Sequence, residues 1–447
     1  MNIAKTKSLD MTTGTIWKEL VEYAVPLLLG NLLQQLYTVV DCVTVGQLVG
    51  KEALAAISAT EILISIVLGM FIGISMGATI IIAQSYGAKD DDGLNKAVQT
   101  TASLTVIIGI LVTAAGLVFT RLILKLMSTP ADVFDYAEIY LKIYFAGIIG
   151  QVIYNMASGI LRAVGDSQRP LIALAITSVL NIVLDLLFVA VFKLGVVGVA
   201  VATVISQLVS AVYLTWLLVK TDDAYRVDLS QWTIHKETSR KIFAVGVPIG
   251  LQRTIVSLSN TVVVSKVNYF GAGALAAWGV FRKIEELILN GMQSLSLAIS
   301  TFVGQNIGAG HHARTKEGAK TGMILTLAFT IATSIICILF RKYIVMIFNS
   351  SEEVLTYGSL AILVMLPFIW VNAAFQAVSG ELRGMGNGNA PMIIALVGFV
   401  VFRQIYLYAI WEVKRTLALV YFSFPVGWIF AALIILVYKK VVWKKYS

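Results

Sequence analysis

Apolar residues run along this chain in blocks of about 20, separated by short polar punctuation. The blocks cover residues 16–44, 53–82, 98–120, 135–160, 169–191, 196–219, 240–268, 275–305, 318–340, 354–381, 390–411 and 416–438. Each is long enough to cross ~30 Å of hydrocarbon as a helix. None alternates in polarity as a membrane β-barrel strand would. The pattern therefore predicts an all-α polytopic membrane protein with twelve transmembrane helices.

The pattern occurs twice, at a fixed separation of 221 residues. Gly50-Lys-Glu-Ala-Leu-Ala-Ala56 returns as Gly271-Ala-Gly-Ala-Leu-Ala-Ala277, and Gln84-Ser-Tyr-Gly-Ala88 as Gln305-Asn-Ile-Gly-Ala309. Leu161-Arg-Ala-Val-Gly-Asp166 returns as Leu382-Arg-Gly-Met-Gly-Asn387, Tyr136 as Tyr357 and Pro170 as Pro391. Only the first helix slips by one residue, pairing Pro26 with Pro248. Six helices per copy start both copies on the same side of the membrane, so the two lobes should be related by a pseudo-twofold along the membrane normal. The expected division is 1–219 (helices one to six), a cytoplasmic linker 220–239, and 240–447 (helices seven to twelve).

Composition agrees: 58% of residues are hydrophobic and 13% charged, far from an ordinary soluble domain. The net charge of +9 reads as topology. With both termini in the cytoplasm, internal segments hold most of the Lys and Arg, from Lys5 and Lys7 through Lys236, Arg240 and Lys241 to Lys444 and Lys445. No segment is long enough for a soluble domain with a basic face, so no nucleic-acid partner is expected. The first ten residues are polar and lead into a full span, so no cleavable signal is evident. Cys42 and Cys337 fall inside spans and read as free thiols. The expected location is a cell membrane, plasma or inner, with a multi-pass monomer among lipids.

Charges inside spans carry the chemistry. An ionised Asp at mid-bilayer costs ~2.5–3.5 kcal/mol, so it must face a cavity, hold a proton or pair with a cation. Asp41 lies in the first helix and Asp185 in the fifth, where Asn181 precedes it by one turn on the same face. Thr203 of the sixth helix can add a hydroxyl. Two carboxylates and two neutral oxygens suit one exchangeable proton or a small hard cation such as Na+. Static helix pinning is the plainer use of either Asp. The second copy has Tyr406 opposite Asp185, Phe402 opposite Asn181 and Val263 opposite Asp41, so the cluster belongs to the first lobe alone.

Glu61, Arg282, Glu285 and Glu286 form a second set in helices two and eight, with Arg282 and Glu286 spaced to pair at i, i+4. Solvation near the membrane surface explains them equally well. Arg253, Lys266 and Arg403 read as interfacial or snorkelling. Gln34, Tyr37, Met70, Tyr154, Met156, Gln252, Asn260, Met292 and Gln293 are candidates for lining a substrate cavity, because soft and aromatic side chains accommodate varied amphipathic cations. Gln35, Tyr144, Asn155, Trp278, Asn372 and Phe375 extend that set; packing is the commoner use of such residues. Pro26 and Pro248 break a hydrogen bond in matching helices and are hinge candidates, or static bends. Arg162–Pro170 and Arg383–Pro391 read as cytoplasmic turns, a Gly ending one helix and a Pro starting the next.

Taken together, the paired repeats, Pro26 with Gln34 and Asp41, the paired Gln-x-x-Gly-Ala and Leu-Arg-x-x-Gly-[Asp/Asn] motifs, and Asn181-x-x-x-Asp185 with Thr203 resemble the multidrug and toxic compound extrusion (MATE) transporters over about residues 12–438. The resemblance implies a secondary antiporter that expels amphipathic, mostly cationic small molecules in exchange for H+ or Na+ by alternating access. It also implies that positions matching Asp41, Asn181, Asp185 and Thr203 bind the coupling ion. Acids that some members place in helices seven and ten are missing here, apart from Glu381 at a helix end. The alternative on the same scaffold is a flippase for a lipid-linked oligosaccharide or peptidoglycan precursor. No phosphate-binding loop, HExxH, GxSxG or metal-ligand spacing is present, and the three histidines lie in loops, so neither an enzyme nor a cofactor is expected.

Overall fold

The structure, a computed structural model, describes residues 9–444. The first half contains α1 (Ile16–Leu48), α2 (Lys51–Gly87), α3 (Asp91–Leu126), α4 (Ala131–Ala163), α5 (Gln168–Asp185) and α6 (Gly195–Lys220). The second contains α7 (Lys236–Asn268), α8 (Ala272–Gly308), α9 (His312–Leu339), α10 (Arg341–Phe348), α11 (Glu352–Met365), α12 (Ile369–Gly384), α13 (Asn389–Ala395), α14 (Arg403–Val413) and α15 (Leu417–Trp443). Among the described residues there is no strand. Eleven stretches from α2 onward are long and apolar enough to cross a membrane, α11–α12 and α13–α14 each counting once. The twelfth span is α1, 33 residues long, in which Asn31, Gln34, Gln35 and Asp41 interrupt the apolar run.

Three predicted helices are not uniform. The tenth span changes to a 3-10 turn at Leu366–Phe368, because Pro367 has no N–H to give the α ladder. The fifth and eleventh spans widen into π-helix at Leu186–Val191 and Leu396–Phe402. Hydropathy averages over such local changes. By contrast, α1 and α7 stay helical through Pro26 and Pro248.

The duplication extends to hydrogen bonds. The Ser75 hydroxyl of α2 donates to the Asn155 carbonyl of α4 at 2.7 Å, and 221 residues later Ser296 of α8 donates to the Gln376 carbonyl of α12 at 2.7 Å. Beside each bond is a glycine, Gly159 or Gly380, whose missing Cβ lets the helices approach. The turns that follow are also matched: Gly165 and Gly386 take φ of 87° and 84° before Pro170 and Pro391.

The helices pack as two compact units. One is Val25–Gly246 with Leu9 and Asp10; the other is Met11–Ala24 with Val247 onward. Two of the three divisions, at Ala24/Val25 and Gly246/Val247, fall beside the paired prolines. The start of α7 therefore belongs with the first unit, where Gly77 of α2 faces the Ile242 carbonyl and Gly246 faces Gly73 and Ile74, backbone against backbone. The segment Met11–Ala24 belongs with the second unit. There the Met11 N–H donates to Gln305 Oε1 at 3.0 Å and Asn306 donates to the Met11 carbonyl at 2.9 Å. Arg314 donates to the carbonyls of Thr13 (2.6 Å) and Gly14 (2.9 Å) and pairs with Glu19 at 2.8 Å. One copy of the repeated Gln-x-x-Gly-Ala motif is thus a latch for the N-terminal segment. The segment between α6 and α7 lies on the first unit, with Tyr225 and Val227 buried and Gln99 donating to the Arg226 carbonyl.

Candidate functional site

Within the first unit, Asp41 of α1 and Asp185 at the end of α5 come within direct interaction range of each other. Asp185 is 0% exposed and Asn181 is buried one turn before it. Neither Asp185 oxygen, neither Asn181 amide atom, nor Asp41 Oδ1 has a hydrogen-bond partner. Buried polar atoms are rarely left so, and each such group needs an explanation. Five of them together outline a site for a proton, a cation or water.

The register of α5 on α6 explains the placement. Thr177 and Ser210 contact each other through their hydroxyls, and both donate to the Ala173 carbonyl, at 2.8 and 3.1 Å. These helices are antiparallel neighbours joined by a short turn. One turn further on, Asn181 therefore falls opposite Ser206, and another turn brings Asp185 to the level of Thr203. Thr203 is half-buried, and its hydroxyl donates to the Val199 carbonyl of its own helix at 3.0 Å. Ser206 is buried with an unpartnered hydroxyl, and sequence reading missed it. Its i, i+3 spacing from Thr203 was the available signal.

Tyrosines of α1 and α4 stand beside the carboxyl pair. Tyr37 on α1 lies in electrostatic reach of Asp41 and of Tyr154 on α4. Tyr140 reaches both carboxyls and stacks on Tyr144 with ring centroids 6.2 Å apart. Tyr140 was also missed; it stands four residues before Tyr144 on one face of α4. On that helix Gly147 and Gly150 admit Val204 and Leu208 of α6, and on α6 Gly198 admits Phe188 of the π segment.

The other candidates are scattered. Gln34 is exposed, and Met70 and Tyr154 are half-buried. Met156 and Met292 are buried in the cores of their units. In the second unit Gln252 accepts from Arg383, Gln293 from Arg253, and Asn260 from Arg403. Several charges stand elsewhere than expected. Arg383 is a buried last-turn residue of α12, not a loop residue. Arg282 pairs with Glu285 and not with Glu286, which pairs with Lys283 at 3.9 Å, because the i, i+3 partner is the one facing inward. Arg403 does not snorkel: it is 2% exposed, donates to Ser259 (2.7 Å) and Asn260 (2.8 Å), and covers the Phe424 ring at 4.7 Å. Lys266 does sit on aromatic rings, over Trp411 at 4.3 Å. Glu61 is exposed.

The profile of the MatE family matches residues 26–187 and again 248–409, one match per repeat. The chain belongs to the MatE family. Among the relatives of this MATE protein is the probable multidrug resistance protein YoeA of Bacillus subtilis, 30% identical over 96% of this chain and 95% of its own. The probable multidrug resistance protein NorM of Thermotoga maritima is 29% identical over 86% of this chain and 83% of its own. Of the solved structures, a multidrug resistance MATE transporter in an outward-facing conformation superposes with a TM-score of 0.91 over 98% of both chains at 24% identity. This MATE protein is therefore an all-α, twelve-helix membrane protein of a transporter family, with multidrug resistance proteins among its relatives.

Proposed function

We propose that this MATE protein is a secondary active antiporter. It exports amphipathic, mostly cationic small molecules in exchange for H+ or Na+ taken up at Asp41 and Asp185. It works in a cell membrane as a monomer with both termini in the cytoplasm, by alternating access between its lobes. The observation that carries this reading is the apposed carboxyl pair, Asp185 buried and Asp41 half-buried, short of hydrogen-bond partners. Two bare carboxylates at that range repel, and a shared proton or a Na+ between them removes the repulsion. Asn181 and Thr203 supply neutral oxygens, and Ser206 a further hydroxyl, which suit a hard cation. The relatives' names as multidrug resistance proteins support a drug-like cargo.

The test is dye efflux from proteoliposomes under an imposed pH gradient or Na+ gradient, each alone. One of the two should drive export in the wild type. Asp41→Asn and Asp185→Asn should each lower gradient-driven export by at least about tenfold, since a ligand drives a transition only through its differential binding to the two states. Export at the wild-type rate in both variants would overturn the coupling role.

A further inference from the structure

We propose that the second unit carries an oxyanion-binding site built on Arg253 of α7 and Arg383 of α12, suited to a carboxylate, phosphate or sulfonate group. Arg383 is 7% exposed; its Nη2 donates to Gln252 Oε1 at 3.2 Å, and its Nε has no partner. Arg253 is exposed, donates through Nη2 to Gln293 Oε1 at 2.7 Å, and lies within electrostatic range of Arg383. Among the described residues neither guanidinium has an acidic partner. Elsewhere this unit neutralises its buried charges: Arg282 pairs with Glu285, which also faces Arg403, and Lys439 pairs with Glu381 at 2.7 Å. Like charges left without a counterion, one of them buried, are costly and call for an anion.

The donors are arranged to receive one. Each glutamine oxygen holds one fork, which leaves the remaining N–H groups for bidentate contact with a planar or tetrahedral oxyanion. One guanidinium is accessible and the other is buried. The repeat argues against a purely scaffold role. Arg383 has a counterpart in Arg162, but Arg253 falls opposite Asn31, Gln252 opposite Gly30 and Gln293 opposite Ile72. The paired cations therefore exist in one unit only, as the paired carboxyls exist only in the other.

The full-length protein in a neutral maltoside detergent, at low salt, is titrated calorimetrically with inorganic phosphate and separately with cholate. At least one should bind at one site per chain. Arg253→Gln and Arg383→Gln should each weaken binding more than tenfold, Arg383→Lys by less, and the surface control Lys241→Gln not at all. The wild type should also melt at a higher temperature in phosphate or cholate than in sodium chloride of equal ionic strength, which needs no variant to fold. Binding of phosphate and cholate alike supports the site and assigns it to free oxyanions; binding of cholate alone assigns it to an amphiphile head. Displacement of cholate by phosphatidylglycerol in nanodiscs supports it as a lipid-headgroup site. Neither heat nor a melting shift with any of the three, or affinity unchanged in both glutamine variants, overturns the proposal.

Discussion

Asn181 shows how a single side chain can serve function against stability. Its amide is buried on α5 with both polar atoms unpartnered, a cost the fold would be rid of with an apolar residue of similar size. Asn181→Leu should therefore leave the melting temperature unchanged or raise the stability by about 1–3 kcal/mol, while gradient-driven export falls. A destabilised but fully active variant would reverse that assignment. Arg403 is the opposite case. It donates to Ser259 and Asn260 and lies in electrostatic range of Glu285, which keeps Arg282 as its partner, so Arg403→Leu leaves the Asn260 oxygen without that donor and should cost about 1–3 kcal/mol. Thermal unfolding in detergent checks both. The acids were legible at this scale because an Asp in an apolar run is conspicuous. Arg383 and Arg403 were not, since a cation near a predicted helix end looks the same whether it reaches water or turns inward.

At the scale of helices, the paired close approaches of α2 to α4 and of α8 to α12 should differ in tolerance. A Cβ on Gly159 would stand 2.6 Å from the Ser75 hydroxyl, which can rotate away, with the nearest backbone oxygen at 3.3 Å. A Cβ on Gly380 would stand 2.4 Å from the Ser296 carbonyl, which cannot. Overpacking of this kind costs about 1–3 kcal/mol. Gly380→Ala should accordingly lower the melting temperature clearly more than Gly159→Ala; equal losses would show that α8 and α12 shift as readily as a hydroxyl turns. Helix existence and the repeat spacing were legible because hydrophobic length and punctuation decide them. The π segment after Asp185 and the 3-10 turn at Leu366–Phe368 were not, because they change the ladder without changing hydropathy.

For the whole molecule, the duplicated sequence suggests two halves cut at the linker, yet the compact units do not follow that cut. Met11–Ala24 packs with the second unit and the start of α7, through Gly246, with the first. The exchange was hidden because both segments read simply as the opening turns of a spanning helix, and only tertiary contacts assign them. It has a consequence for chains divided between Ser230 and Gln231. Each half then carries the segment that the other unit needs: the N-terminal half keeps the strand of contacts to Gln305, Asn306 and Arg314, and the C-terminal half keeps Ile242 and Gly246, which seat against α2. Neither half alone can complete its unit. Co-expressed halves, with one tagged, should co-purify and restore export, while each half alone should be aggregated or protease-sensitive. Arg314→Ala in the divided protein should reduce recovery further, because it removes several charge-assisted bonds worth about 1.5–3 kcal/mol each. A half that folds alone to a monodisperse, trypsin-resistant form would show that the exchanged segments are dispensable, and with them the structural reason for placing the paired prolines where each helix passes from one unit to the other.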